Sequence, residues 1–364
     1  MKYVDEYRDR KIVERLVKRI RKICQRKITL MEVCGTHTVA IHRNGLQEIL
    51  PDQIGLISGP GCPVCVTPIT DIDRSIALSE RNGITIATFG DMIRVPGSGT
   101  SLLKQRGLGA DIRIVYSAYD AFYLAQQDPN QKVVFLGVGF ETTAPTVAAV
   151  IKRAHEVGLN NFSILSMHKV LPPALLSLIE SPQIKIDGFI CPGHVSTIIG
   201  TGFYQRVAGD FHIPCVVTGF EPVDILQAIA LLVEQIEKGE ARVEIQYRRA
   251  VTPEGNLKAR SLMEDVFEVR DSTWRGFGML PKSGLKLKTF YNRFDAEQIY
   301  DIPFTRGHEP PGCICGDILR GIKRPPDCPL FKKVCTPENP VGACMVSSEG
   351  TCAAYYQFAR VKES

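Results

Sequence analysis

The chain has 364 residues, 44% of them hydrophobic and 23% charged, and 44 basic against 39 acidic side chains give a net charge of +5. That length accommodates two or three domains with cores of their own, and so slight a basic excess argues against nucleic acid, since the run Lys11–Lys22 reads as the solvated face of one helix. The charge-dense first twenty residues lack the apolar stretch of a signal peptide, and the run VVFLGVGF after Lys132 falls short of the roughly 18 residues of a membrane span, so a cytoplasmic protein without a membrane segment is expected.

Residues 6–24 read as an amphipathic helix, with Ile12, Leu16, Ile20 and Ile23 on one stripe. Short apolar runs then alternate with turns and helical stretches. The strand candidates are Thr29–Val33, Ile54–Ser58, Ile84–Thr88, Ile112–Tyr116, Val133–Val138, Ser163–Ser166, Asp187–Ile190 and Cys215–Val217. Helices are expected at Ile72–Arg81, Tyr119–Gln127, Thr143–Val157, Pro173–Ile179 and Val223–Lys238, with a further strand at Val243–Tyr247. Such alternation predicts an α/β fold of two parallel-sheet domains facing a cleft. Beyond residue 250 the alternation stops, and Pro303–Cys352 has little regular pattern, as in regions held by a metal or cluster rather than by a core. The expected division is an N-terminal helix (1–28), a first α/β domain (29–118), a second (119–240) whose last helix packs on the first, and a C-terminal iron–sulfur domain (241–364).

The unusual residues follow the strands. Cys34-Gly-Thr-His37 comes after the first, Gly59-Pro-Gly-Cys62-Pro-Val-Cys65 after the second, Gly139-Phe-Glu141-Thr-Thr143 after the fifth and Cys191-Pro-Gly-His194 after the seventh. Ligand crevices of open α/β sheets lie at the carboxyl ends of strands, so the four motifs are expected to converge. Cys34 and His37 share a helix face, and a helix start favours thiolate; thiolate with imidazole suits iron, zinc or copper. Cys62-x-x-Cys65 has the spacing of a redox pair, and its glycines and prolines predict thiols exposed at a loop tip, with half of a zinc site as the other reading. Glu141 is a candidate acid/base group or a cap for the helix from Thr143, and His194 is a second acid/base candidate. Cys24, Cys191 and Cys215 read as core cysteines.

Twelve cysteines are many for a reducing compartment, where metal ligation or redox chemistry is the usual use. Six lie between Cys313 and Cys352. Four thiolates make a [4Fe–4S] site, and Cys328, Cys335, Cys344 and Cys352, wrapped in proline-punctuated loops, are the expected set. Cys313 and Cys315 are left as a redox pair. Cys34 is remote in sequence from these thiols, so the two sites are expected to be independent.

CGTHT at Cys34–Thr38, GPGCPVC at Gly59–Cys65, GFETT at Gly139–Thr143, PGHVS at Pro192–Ser196 and GACMVSSEGTCAAYY at Gly342–Tyr356 resemble, in order, the motif set of the HypD family of [NiFe]-hydrogenase maturation factors. The resemblance implies a redox-active scaffold, rather than a conventional turnover enzyme, that holds iron while cyanide and carbonyl ligands are added to form Fe(CN)2CO. It implies a small HypC-like partner that supplies a second thiolate, a HypE-like cyanide donor and a C-terminal [4Fe–4S] cluster. On that reading Cys34 is the iron thiolate, His37 is a ligand or a neighbour of one, and Cys62 and Cys65 handle electrons. The competing readings from the residues are an iron–sulfur-dependent thiol–disulfide oxidoreductase and a zinc-stabilised interaction module.

Overall fold

A computed structural model describes residues 5–303 and 307–359. Residues 1–4 of the N-terminal helical region, and residues 304–306 and 360–364 of the Cys-rich region, lie outside the described residues.

Asp9 opens the first helix, Arg10–Ile23, by accepting from the backbone N–H of Lys11 and Ile12. Its buried face, Val17 and Ile20, lies on the helix Pro222–Lys238. Eleven strands follow among the described residues: β1 Ile28–Glu32, β2 Ile54–Ser58, β3 Ile84–Thr88, β4 Ile112–Ile114, β5 Lys132–Gly137, β6 Phe162–Ser166, β7 Gly188–Pro192, β8 Cys215–Thr218, β9 Val243–Ile245, β10 Phe267–Trp274 and β11 Gly278–Leu287. β1–β9 are the nine strands expected from the sequence, within two residues at each end.

The first nine make two parallel sheets, ordered β2-β1-β7-β8-β9 and β4-β3-β5-β6. In each the first strand takes its second on one side and its third on the other, the order of doubly wound sheets. The linear division at residue 118 does not describe them. β3 and β4, expected in the first domain, pair with β5 and β6, while β7 and β8, expected in the second, return to β1. Local alternation marks where strands are, but long-range hydrogen bonding decides which sheet each joins. The helix Pro222–Lys238 packs on β7 and β8.

β10 and β11 form an antiparallel hairpin that the sequence did not announce. β10 is half-exposed, and its register shifts between Arg270 and Ser272, which breaks the alternation. Its turn uses Gly276 and Gly278 at positive φ. Phe267, Leu285 and Leu287 cover one face of the second sheet with Phe135, Val147 and Ile151. A second core joins β1, β7 and β8 to the helices Arg10–Ile23 and Pro222–Lys238. The third contains Cys62, Cys65, Ile86, Phe140 and Trp274 together with Cys315, Cys335, Cys344 and Cys352. The Cys-rich region is thus continuous with the sheets, although its helices are only four to eight residues long (Cys315–Leu319, Ala343–Val346 and Thr351–Phe358). No helix among the described residues is long and apolar enough to cross a membrane.

Candidate thiol centres

β1 delivers Cys34 to the start of the helix Gly35–Arg43. β2 leads to Cys62, which precedes the short helix Pro63–Val66. The two loops are in backbone contact. Gly35 N–H donates to Gly61 carbonyl oxygen at 3.1 Å, and a Cβ at Gly61 would collide with the backbone of Cys34. Glycine at 61 is therefore a steric requirement for bringing the two motifs together.

β7 adds the third motif. His37 is fully buried and its Nε2 donates to the Gly219 carbonyl at 2.9 Å, which leaves Nδ1 as the acceptor nitrogen. Nδ1 has no hydrogen-bond partner among the described residues. Burial holds His37 neutral, lowering its pKa to about 4. Phe220 lies between His37 and His194, with ring centroids at 4.8 and 4.0 Å. His194 is exposed and reaches the site by this stacking.

Two carboxylates missed at the sequence level complete the surroundings of Cys34. Glu32, the last residue of β1, is buried; it accepts from Cys34 N–H at 3.0 Å and from the Thr38 hydroxyl. Burial raises it to about 7. Glu349 accepts from the Thr36 hydroxyl at 2.7 Å, and its backbone presses on Gly35, where a Cβ would come within 2.6 Å. The helix Thr351–Phe358 packs along Gly35–Arg43, with the Tyr355 ring tilted against His42 at 4.1 Å between centroids. Independence of Cys34 from the C-terminal region is therefore corrected: 313 residues of sequence separate Thr36 from Glu349, and the fold closes the gap.

The surroundings of Cys34 oppose the thiolate expected at a helix start. Burial first, then Glu349 and Glu32, raise it to about 12, and the N–H groups of His37 and Thr36 only partly oppose this. Cys62 and Cys65 are disulfide-bonded with Cα atoms 5.2 Å apart. Contrary to the expected loop-tip exposure, they are 4% and 0% exposed, because the helix Pro63–Val66 turns them into the apolar core. A pair so buried is not displayed for exchange with proteins at large, which counts against a general thiol–disulfide oxidoreductase.

Glu141 makes its side-chain hydrogen bond outside the other three motifs. Burial raises it to about 7; Oε1 accepts from Leu171 N–H at 3.0 Å, and Oε2 has no partner among the described residues. It therefore caps the helix Leu171–Ile179 rather than the one after Thr143. Cys24, Cys191 and Cys215 are buried as expected.

All six late cysteines, Cys313, Cys315, Cys328, Cys335, Cys344 and Cys352, line one pocket with Ile318, Leu330, Phe331 and Met345. Cys315 Sγ lies 2.7 Å from Cys344 Sγ. Gly342 forms part of the wall, where a Cβ would approach Cys313 Sγ to 2.7 Å. The hydrogen bond to Cys315, with burial, pushes Cys313 up. For Cys315 and Cys344, one neighbouring thiol lowers, the next raises, burial raises further, and the Arg275 guanidinium pulls down. No group of three or more His, Cys, Asp or Glu side chains among the described residues is arranged around a single metal ion. A cuboidal cluster asks for something else, one thiolate per iron at separate corners. Six soft donors around an apolar pocket, with a glycine where a side chain would crowd them, fit that group. The helix Ala343–Val346, which carries Cys344, packs on Pro63–Val66, which carries Cys65.

Two doubly wound sheets, a thiol at the first switch point, a neighbouring disulfide and a six-thiol pocket define an α/β protein with sulfur centres in series. Its relatives give that class a name. The HypD family, described as the hydrogenase formation hypA family, matches residues 11–359, and the chain belongs to it. It is 49% identical to hydrogenase maturation factor HypD2 of Bradyrhizobium diazoefficiens, over all of this chain and 98% of that one. It is 46% identical to hydrogenase maturation factor HypD of Escherichia coli K12, over the whole of both. A putative hydrogenase expression/formation protein of Methanocaldococcus jannaschii is 45% identical over 97% of this chain and 99% of its own.

Proposed function

We propose that this chain is a hydrogenase maturation scaffold that holds ferrous iron at Cys34 while two cyanides and a carbonyl are added to give Fe(CN)2CO. A small HypC-like partner supplies a second thiolate, and a HypE-like protein delivers cyanide. The observation that carries this reading is the contiguity of the centres: Cys34 against Gly61, Cys62 bonded to Cys65, and the Cys65 helix against the Cys344 helix.

Iron here is cargo. Burial and two carboxylates keep the Cys34 thiol protonated until a divalent cation arrives, whose charge replaces the proton. Cyanide and carbon monoxide need an electron-rich iron, which thiolates supply. His37, held neutral, presents Nδ1 as a ligand or as an acceptor for a donor on the bound iron.

Cys328, Cys335, Cys344 and Cys352, with Cys313 and Cys315 as alternates from the same pocket, would hold a [4Fe–4S] cluster. Such a cluster supplies electrons one at a time. Cys62 and Cys65 in their reduced form can release cyanide from a sulfur-bound carrier. One thiolate attacks, the S–C bond to cyanide breaks, and carrier thiol, hydrogen cyanide and the Cys62–Cys65 disulfide result. Two electrons and two protons restore the dithiol, with an external one-electron carrier protein as their source.

Anaerobic co-purification with the HypC-like partner, followed by infrared and Mössbauer spectroscopy, tests the proposal. Iron-bound CN and CO bands are expected in the complex and absent from Cys34→Ser, since an alkoxide is a harder and more basic donor. Undiminished bands in Cys34→Ser would overturn the assignment.

A further inference from the structure

Arg275 belongs to none of the motifs, yet it lies between two of the sulfur centres. It sits at the hairpin turn after β10 and is 4% exposed. Its backbone N–H donates to the Val66 carbonyl at 2.8 Å and its Nε to the Thr67 carbonyl at 3.1 Å, so it ties down the end of the Cys62–Cys65 loop twice. The next residue, Gly276, packs against Gly316, where a Cβ would come within 2.5 Å of its Cα, and Gly316 follows Cys315. The same turn therefore touches the disulfide loop on one side and the six-thiol pocket on the other.

Its charge is only partly answered. Nη1 pairs with Glu309, which is half exposed, and Nη2 is buried without a hydrogen-bond partner among the described residues. A buried guanidinium with an idle donor is costly unless negative charge lies nearby. For structural purposes the backbone N–H and Nε already hold the loop, so the orphaned donor and the net charge need another reason. Besides Glu309, the anions that chemistry places near this turn among the described residues are the sulfurs in their reduced, ligating states.

We propose that Arg275 is a positioning residue for electron transfer: one buried guanidinium that fixes the Cys62–Cys65 loop and, beside the C-terminal thiol pocket, favours the reduced and more negative state of both centres. The proposal rests on the cluster and dithiol assignments above. The cluster gains one electron, and the disulfide gains two with cleavage of its S–S bond; a fixed positive charge raises both potentials. Glu309 partly neutralises that charge, so its removal acts in the opposite sense.

The test uses the full chain, purified anaerobically, as wild type, Arg275→Gln, Arg275→Lys and Glu309→Gln. Iron and sulfide content is measured first, then the cluster potential by titration followed with electron paramagnetic resonance. The Cys62–Cys65 potential is read by thiol alkylation and mass spectrometry across redox buffers. Arg275→Gln is expected to keep its iron and sulfide, with the reduced-to-oxidised ratio of the cluster lowered about tenfold at the wild-type midpoint, a shift of about 59 mV for one electron. The dithiol should shift in the same direction. Lysine should restore most of the cluster potential, because it keeps the charge, and less of the dithiol potential, because it lacks the fork. Glu309→Gln should shift the cluster the other way by a smaller amount. A fully loaded Arg275→Gln with unchanged potentials overturns the proposal. If Arg275→Gln does not fold, Glu309→Gln decides, and an unchanged potential there overturns it equally. Wild-type protein without iron and sulfide would instead refute the cluster assignment, and the dithiol measurement alone would then decide the role of Arg275.

Discussion

The sheets and the thiol pocket are held by different means. In β3, β5 and β6 nearly every side chain is buried, and Ile86, Val134 and Phe135 are fully so; stability there comes from apolar area removed from water. From Cys313 onward the helices are short, turns link them, and the side chains at the centre are sulfurs. Thiols bury little area and gain most when something binds them. The sheets should therefore tolerate loss of metal, and the pocket should tolerate loss of a core methyl in the sheets. Each half of that contrast can be broken.

The largest effect is expected at Cys344, which touches Cys315 and sits on the Cys65 helix. Cys344→Ala should abolish bound iron and sulfide and expose the chain beyond residue 300 to limited proteolysis, while the far-ultraviolet signal of the sheets persists. Retention of full iron and sulfide would show that the other five thiols suffice. Next is Ile86→Ala in the centre of the second sheet. It should cost about 2–5 kcal/mol in denaturant unfolding, with iron content per folded molecule unchanged; coupled loss of iron would show that the two regions unfold as one.

A third prediction concerns pH. Glu141 is fully buried and its folded pKa, near 7, exceeds its ordinary value near 4.5. Folding then favours the protonated carboxyl. Its contribution is fully present below pH 4.5 and is lost as pH rises toward 7, by up to about 1.4 kcal/mol per pH unit. Glu141→Gln should flatten that segment of the stability profile and make the protein more stable than wild type at pH 8. An unchanged slope would mean that the carboxyl is solvated.

The smallest effect is expected at Glu349→Gln. Removing one of the charges that raise Cys34 should shift its alkylation profile to lower pH, and weakening the bond to Thr36 should cost about 1 kcal/mol or slightly more. A profile unmoved by the substitution would exclude Glu349 from the electrostatics of Cys34.

The same contrast explains what could be read in advance. Parallel strands buried on both faces are apolar runs between turn residues, so β1–β9 are visible one by one. Sheet membership depends on pairings such as Leu30 with Gly188, which leave no local trace. The hairpin β10–β11 was hidden by its exposed, bulged first strand. Of the site, the thiols and His37 stand out because strand ends concentrate them. Glu32 carries a sequence signal, a carboxylate closing an apolar strand two residues before Cys34. Glu349 lies within SSEGTC, Ser347–Cys352, but only the fold brings it to Thr36. Arg275 had none, because its meaning depends on Val66, Thr67 and the Cys315 side of the pocket.

Contact between Gly35 and Glu349 also sets an order of events during synthesis. The ribosome releases Cys34 early, but the wall of its site is made from Glu349 and the helix Thr351–Phe358. Translation at about 5–20 residues per second keeps the thiol without that wall for tens of seconds. Only a chain extended past residue 358 can offer iron the closed setting described for Cys34, and a shorter one presents an open thiol that lacks both the carboxylate at 349 and the helix behind it.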